Sequence, residues 1–213
     1  VLRVITVPNR RIEYWTGWHC HLGDNICRMQ WADYYQDQHP EKQVVVFGHR
    51  RCDCGCNAVV GEQMKQVLDL MDTNVLWTND NPGGGRDLPM PYLDSNILYR
   101  KACGLPTQKK NHITTQFHVR GGFEWEWRSI SGDDMNRIMH CLRAEKVYNL
   151  SDHHVRGTQH FHGSLREKLD LIATARLHIT LDSGTAHLAS MTKTTTVAIC
   201  PLSIGTAIEC SPT

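Results

Sequence analysis

Two short stretches of this chain combine small residues, carboxylates and imidazoles in an order suited to handling an anion and a proton. The first is Asp182-Ser183-Gly184-Thr185-Ala186-His187, which leads into the apolar Leu188-Ala189. Small residues at Ser183, Gly184, Thr185 and Ala186 let a ligand come close to the backbone. The N–H groups and dipole of a helix that starts there attract negative charge. The same Asp-Ser-Gly-Thr is also an ordinary helix cap and turn that needs no ligand. The second stretch is His21-Leu22-Gly23-Asp24-Asn25. Its Asp24 is of a type that caps helices, here the one expected through Met29, Trp31, Ala32 and Tyr35.

These residues need a scaffold, and the flanking patterns supply one. Gly163 to Ala175 carries apolar residues at helical spacing, Leu177 to Leu181 alternates like a strand, and Val197 to Pro201 is a second apolar run. The order is helix, strand, turn, helix, strand, as in a parallel α/β sheet, where ligands sit outside the carboxyl ends of the strands. Asp182 to His187 falls at such an end.

Earlier in the chain, Leu2–Val7 and Gln43–Gly48 read as strands, Asn57–Met71 as a helix and Asn74–Thr78 as a third strand. The N-terminal half is thus expected to be β-α-β-α-β, with Asn9–Glu13 too polar and Thr16–His21 too unusual for a buried strand. Asn81 to Asp87, rich in glycine, is expected to be a mobile surface loop, because it lacks a Gly-Lys-Ser/Thr ending. Gly104 to Asn111 reads as a linker. Beyond it are expected a strand over Ile113–Val119, a loop holding Arg120 to Arg128, a helix over Asp133–Glu145 and a strand over Lys146–Leu150.

In this order the motifs resemble those of the family 9 glycosyltransferases, the heptosyltransferase-like enzymes of GT-B architecture. Their C-terminal pattern Asp-Ser/Thr-Gly-x-x-His-Leu-Ala is matched by Asp182, Ser183, Gly184, His187, Leu188 and Ala189, with Pro201 closing the segment, and their Leu-Gly-Asp turn by Leu22, Gly23 and Asp24. The resemblance implies an α/β chain of two small Rossmann-like domains with parallel sheets facing a cleft. Residues 1–107 would form the acceptor side and 108–213 the donor side. It implies that Asp182, Ser183, Gly184, Thr185, Ala186 and His187 hold the diphosphate of a nucleotide-sugar donor. Asp24 would be the base, flanked by His21, Gly23 and Asn25 on the acceptor-side turn. A basic residue in the loop after the first strand of the donor domain would meet the phosphates, and Arg120 and Arg128 are both available; guanidinium groups bind phosphate bidentately. It further implies inversion at the anomeric carbon, with no metal and no cofactor beyond the donor substrate. At 213 residues the chain is short for such an enzyme, so each domain is expected to be trimmed. A compact member of this kind could belong to a phage or mobile element, and the acceptor class stays open between a modified nucleobase, a saccharide and a protein.

Composition limits the alternatives. A formal net charge of +1 gives no global field to recruit nucleic acid, and 40% hydrophobic residues suit a globular core. No apolar run approaches the ~20 residues needed to span a bilayer, and no signal-peptide pattern is present, so a soluble cytoplasmic protein is expected. Nine cysteines without a secretory pattern argue for a reducing compartment. Cys52, Cys54 and Cys56 could join His49 around zinc, although their spacing differs from the usual Cys-x2-Cys knuckle. His153-His154 and His160-x-His162 could bind metal or be solvated. Two other classes remain: a non-catalytic nucleotide or sugar-phosphate binding module, and a nucleic-acid binder using Trp15, Trp18, Trp31 and Arg50-Arg51.

Overall fold

The computed structural model describes residues 10–16, 21–47, 60–78, 80, 83–88, 102–118, 130–142, 145–151 and 153–199. Its elements run β1 (Arg11–Thr16), α1 (Leu22–Gln38), β2 (Lys42–Phe47), α2 (Val60–Asp69), β3 (Leu76–Thr78) and β4 (Arg86–Asp87). They continue with β5 (Ile113–Gln116), α3 (Gly132–Cys141), β6 (Val147–Asn149), β7 (Gln159–His160), α4 (Leu165–Thr174), β8 (Leu177–Leu181), α5 (Gly184–Ser190) and β9 (Thr196–Ile199). The strands form two sheets, ordered β3-β2-β1-β4 and β7-β6-β5-β8-β9, and every described pairing is parallel. Both orders reverse direction beside the first strand of their sheet, as in Rossmann-type folds, which opens a crevice at the carboxyl ends of the strands. The crevices lie between β1 and β4 and between β5 and β8. The expected α/β class with two parallel sheets is what the chain forms.

Two expectations about the elements need correction. The strand that opens the first sheet is Arg11–Thr16, in the polar stretch the apolar pattern passed over; Leu2–Val7 lies outside the described residues. Its polar face is accommodated because Glu13 bonds both Tyr35 of α1, at 3.0 Å, and Lys42 of β2, at 3.2 Å. The glycine-rich segment is also not wholly a loop, since Arg86 and Asp87 pair in parallel with Trp15 and Thr16. Positive φ at Gly83 (69°) and Gly84 (68°) lets the chain turn into that short strand. Residues 104–111, expected as a linker, hold no helix or strand and are anchored through Lys109. Lys109 Nζ donates to the carbonyls of Ala173 and Ala175, at 2.9 and 3.0 Å, and to Thr194 Oγ1 at 2.8 Å. A cation is well placed there, at the negative end of α4.

Aromatic side chains fasten α1 to the first sheet. Trp15 meets Trp31 edge-on at 4.9 Å and Tyr35 at 5.5 Å, and Trp31 stacks on Tyr35 at 5.0 Å. Trp15 and Trp31 therefore serve packing, which counts against their use in stacking nucleic-acid bases; Trp18, Arg50 and Arg51 lie outside the described residues. One apolar core combines Val44, Val46, Met64 and Val67 of the first half with Leu169, Ile172, Leu188 and Met191 of the second. A second core under the other sheet holds Ile113, Phe117, Val147, Val155 and Ile179. No described helix is long and apolar enough to cross a membrane.

At the centre of the second sheet, His178 is fully buried and its Nδ1 pairs with Thr114 Oγ1 at 2.9 Å. Burial pushes its pKa down from 6.5 to about 4, with the Thr114 contact opposing. The folded state thus refuses a proton that the unfolded chain accepts. Stability is full above pH 6.5 and declines as pH falls towards 4, by roughly 3 kcal/mol from this residue. In urea unfolding at pH 7 and pH 4.5, the wild type should lose clearly more stability than His178→Gln. Equal losses would place the acid sensitivity elsewhere.

Candidate functional site

The first turn of α1 and the turn before α5 meet where the two halves touch. At α1, His21 occupies the N-cap position without a side-chain cap bond, and Asp24 stands in the first turn. Asp24 is therefore not the N-cap residue, the alternative its sequence position had left open. A carboxylate there is stabilised by the positive end of the helix. His21 Nδ1 lies 3.6 Å from Asp24 Oδ2, and the carboxylate is 22% exposed, so it is reachable from solvent. Asn25, by contrast, is fully buried and donates to Gln63 Oε1 on α2, a bond that ties the two helices together.

On the opposite side, β8 delivers Asp182 and Ser183 to the start of α5. Ser183 Oγ, Thr180 Oγ1 and Thr185 Oγ1 form a closed triad with separations of 3.0, 3.0 and 3.1 Å. These hydroxyls brace the turn from within. The N–H groups of Ala186 and His187 both reach Ser183 O. Gly184 and Thr185, at the first two helical positions, have no acceptor within the helix for their own N–H groups, because no helical carbonyl precedes them.

The two turns interlock through their glycines. A Cβ on Gly23 would stand 2.6 Å from His187 Cδ2, and a Cβ on Gly184 would stand 2.7 Å from Leu22 Cβ. Each helix thus receives a side chain of the other where it has none. The space beside Gly184 is filled by Leu22, so its missing Cβ serves this contact. His187 crosses the seam, with Nδ1 3.4 Å from Cys27 Sγ. Burial pushes the imidazole pKa down, while the charges of Asp182 and Asp24 pull it back up. One carboxylate from each half therefore acts on a single ring.

Of the residues expected from sequence, His21, Gly23, Asp24 and Asn25 gather on one side of this seam and Asp182 to His187 on the other. Arg120, Arg128, His49, Cys52, Cys54 and Cys56 lie outside the described residues. Among the described residues no three His, Cys, Asp or Glu side chains gather to hold a metal ion. His160 Nε2 is instead committed to Ser151 O, and Asp133 and Asp134 open α3. Leu22 was expected only as part of the Leu-Gly-Asp turn, and Cys27 was not foreseen; its place one helical turn after Gly23 was the available signal.

No protein-family model matches this sequence, and no curated protein matches it. Solved structures do. The iron-containing dodecameric glycosyltransferase TibC from enterotoxigenic E. coli H10407 superposes with a TM-score of 0.67 at 14% identity, over 95% of this chain and 61% of that one. The chain has the heptosyltransferase-like GT-B fold. TibC in complex with ADP-D-beta-D-heptose gives a TM-score of 0.63 at 13% identity, covering 92% of this chain and 60% of that one. The E. coli heptosyltransferase WaaC with ADP gives 0.50 at 8% identity, covering 87% and 86%. This chain thus spans about three fifths of the length of TibC. In this GT-B chain the glycine interlock joins the first helix of one sheet to the helix after β8 of the other.

Replacing Gly184 by Ala should force Leu22 away and destabilise the fold by about 1–3 kcal/mol, the usual cost of overpacking. Gly132→Ala, where nothing lies within 4 Å of the added Cβ, is the control and should be neutral or slightly stabilising. Denaturant midpoints of the two variants decide; equal values would remove the interlock.

Proposed function

We propose that this chain is a glycosyltransferase that moves a sugar from a nucleotide-diphosphate donor to an acceptor hydroxyl, with inversion and without a divalent metal. The observation that carries the reading is the meeting of the Asp24 turn with the Asp182–His187 turn at the seam between two parallel Rossmann-type sheets. The GT-B likeness supports it, and the ADP-heptose held by TibC makes that class of donor the first to try. In this reading residues 1–107 serve the acceptor and 108–213 the donor. A saccharide, a modified nucleobase or a protein can be the acceptor.

Asp24 accepts the proton of the acceptor hydroxyl as its oxygen attacks the anomeric carbon. The bond from that carbon to the diphosphate breaks, and the electron pair leaves on the phosphate oxygen. The N–H groups of Gly184 and Thr185 and the dipole of α5 receive that charge, joined by Arg120 or Arg128. His187 keeps the turn in place and presents its imidazole to the same charge. Attack on the face opposite the leaving group inverts the configuration in a single displacement. With helix N–H groups and guanidinium groups carrying the charge, EDTA should leave the rate unchanged.

The first measurement is thermal stabilisation by a panel of nucleotide sugars, ADP-heptose included, since a ligand of the folded state raises its stability by mass action. Asp24→Asn should keep donor affinity near wild type while turnover falls by roughly 10²–10⁴-fold, the usual contribution of a general base. Unchanged turnover would move the base away from Asp24. Binding with no turnover in the wild type would favour a binding module.

A further inference from the structure

Cys27 is fully buried in α1, one helical turn after Gly23 and on the same face. The His187 ring lies along both residues. Nδ1 sits 3.4 Å from Cys27 Sγ, while Cδ2 and Nε2 sit 2.6 and 3.1 Å from the point a Cβ on Gly23 would occupy. The ring is therefore oriented along α1, with Nδ1 pointing inwards and Nε2 towards the first turn, where Asp24 stands. Of the two ways to share a hydrogen between a thiol and an imidazole, S–H to nitrogen is the better pairing, because sulfur is a weak acceptor and a neutral imidazole nitrogen a good one.

We infer that Cys27 is a positioning residue: its S–H donates to Nδ1 of His187, fixes the Nε2–H tautomer and turns that N–H towards the first turn of α1. The neutral ring then offers a hydrogen-bond donor to an anionic group arriving at the two turns without bringing a full charge into the seam. The tautomer itself requires nothing of the reaction. Its effect on turnover rests on the donor-site reading given above.

The test is nitrogen NMR of the full chain with labelled imidazoles, the His187 signals being assigned by their loss in His187→Gln. In the wild type, Nδ1 should show the shift of an unprotonated nitrogen and Nε2 that of a protonated one. Cys27→Ser, which keeps a donor, should retain this pattern. Cys27→Ala should drift towards the mixed shifts of free imidazole. A proton on Nδ1 in the wild type would overturn the inference, as would an Ala spectrum identical to wild type; the wild-type spectrum decides even if Cys27→Ala does not fold. With ADP-heptose as donor, Cys27→Ala should turn over about tenfold more slowly and Cys27→Ser near normally. A tautomer shift in Cys27→Ala with turnover unchanged would support the positioning and count against the reaction role given to His187.

Discussion

Two helix ends can interlock closely when each lacks a side chain where a side chain of the other enters, and α1 and α5 meet this condition reciprocally. Leu22 enters the place of a Cβ at Gly184, and His187 enters the place of a Cβ at Gly23. The absence of a Cβ at both positions is what leaves room for the side chain that enters from the other helix. Ile26, Leu188 and Ala189 continue the same seam as fully buried or nearly buried apolar residues. The position of Asp24 relative to Asp182 follows from this docking.

The electrostatics of the seam follow from the same geometry. Burial favours a neutral imidazole at His187, while Asp24 and Asp182 draw it towards the protonated form. The balance between these influences is set by how the two turns dock, since the ring and both carboxylates are brought together only there. His178 is the contrasting case. It lies deep in the sheet with Thr114, its neutral form is secured by burial, and it plays a structural part.

Much of the fold was legible because it rests on local periodicity. Val44, Val46 and Phe47 announce β2, Leu169, Ile172 and Ala173 announce α4, and Ser164 with Glu167 closes a capping box at the start of α4. β1 escaped because Arg11 and Glu13 look like loop residues until Tyr35 and Lys42 are brought beside them. β4 escaped because two residues have no periodicity and become a strand only by pairing. Both glycine-bearing turns could be read from residue types and order. Their contact could not, since Gly23 and His187 are joined only by the tertiary fold, and the same holds for Cys27 and His187. The bond from Asn25 to Gln63 is of the same kind, joining residues that only the tertiary fold brings together.

The central claim is that one ligand site is built from both turns at once. Amide hydrogen exchange, followed by mass spectrometry with and without a nucleotide-diphosphate sugar, tests it most directly. The account predicts that the peptide spanning Leu22–Asn25 and the peptide spanning Asp182–His187 gain protection together and at the same ligand concentration. Protection confined to one of them, or centred on a different part of the chain, would contradict it.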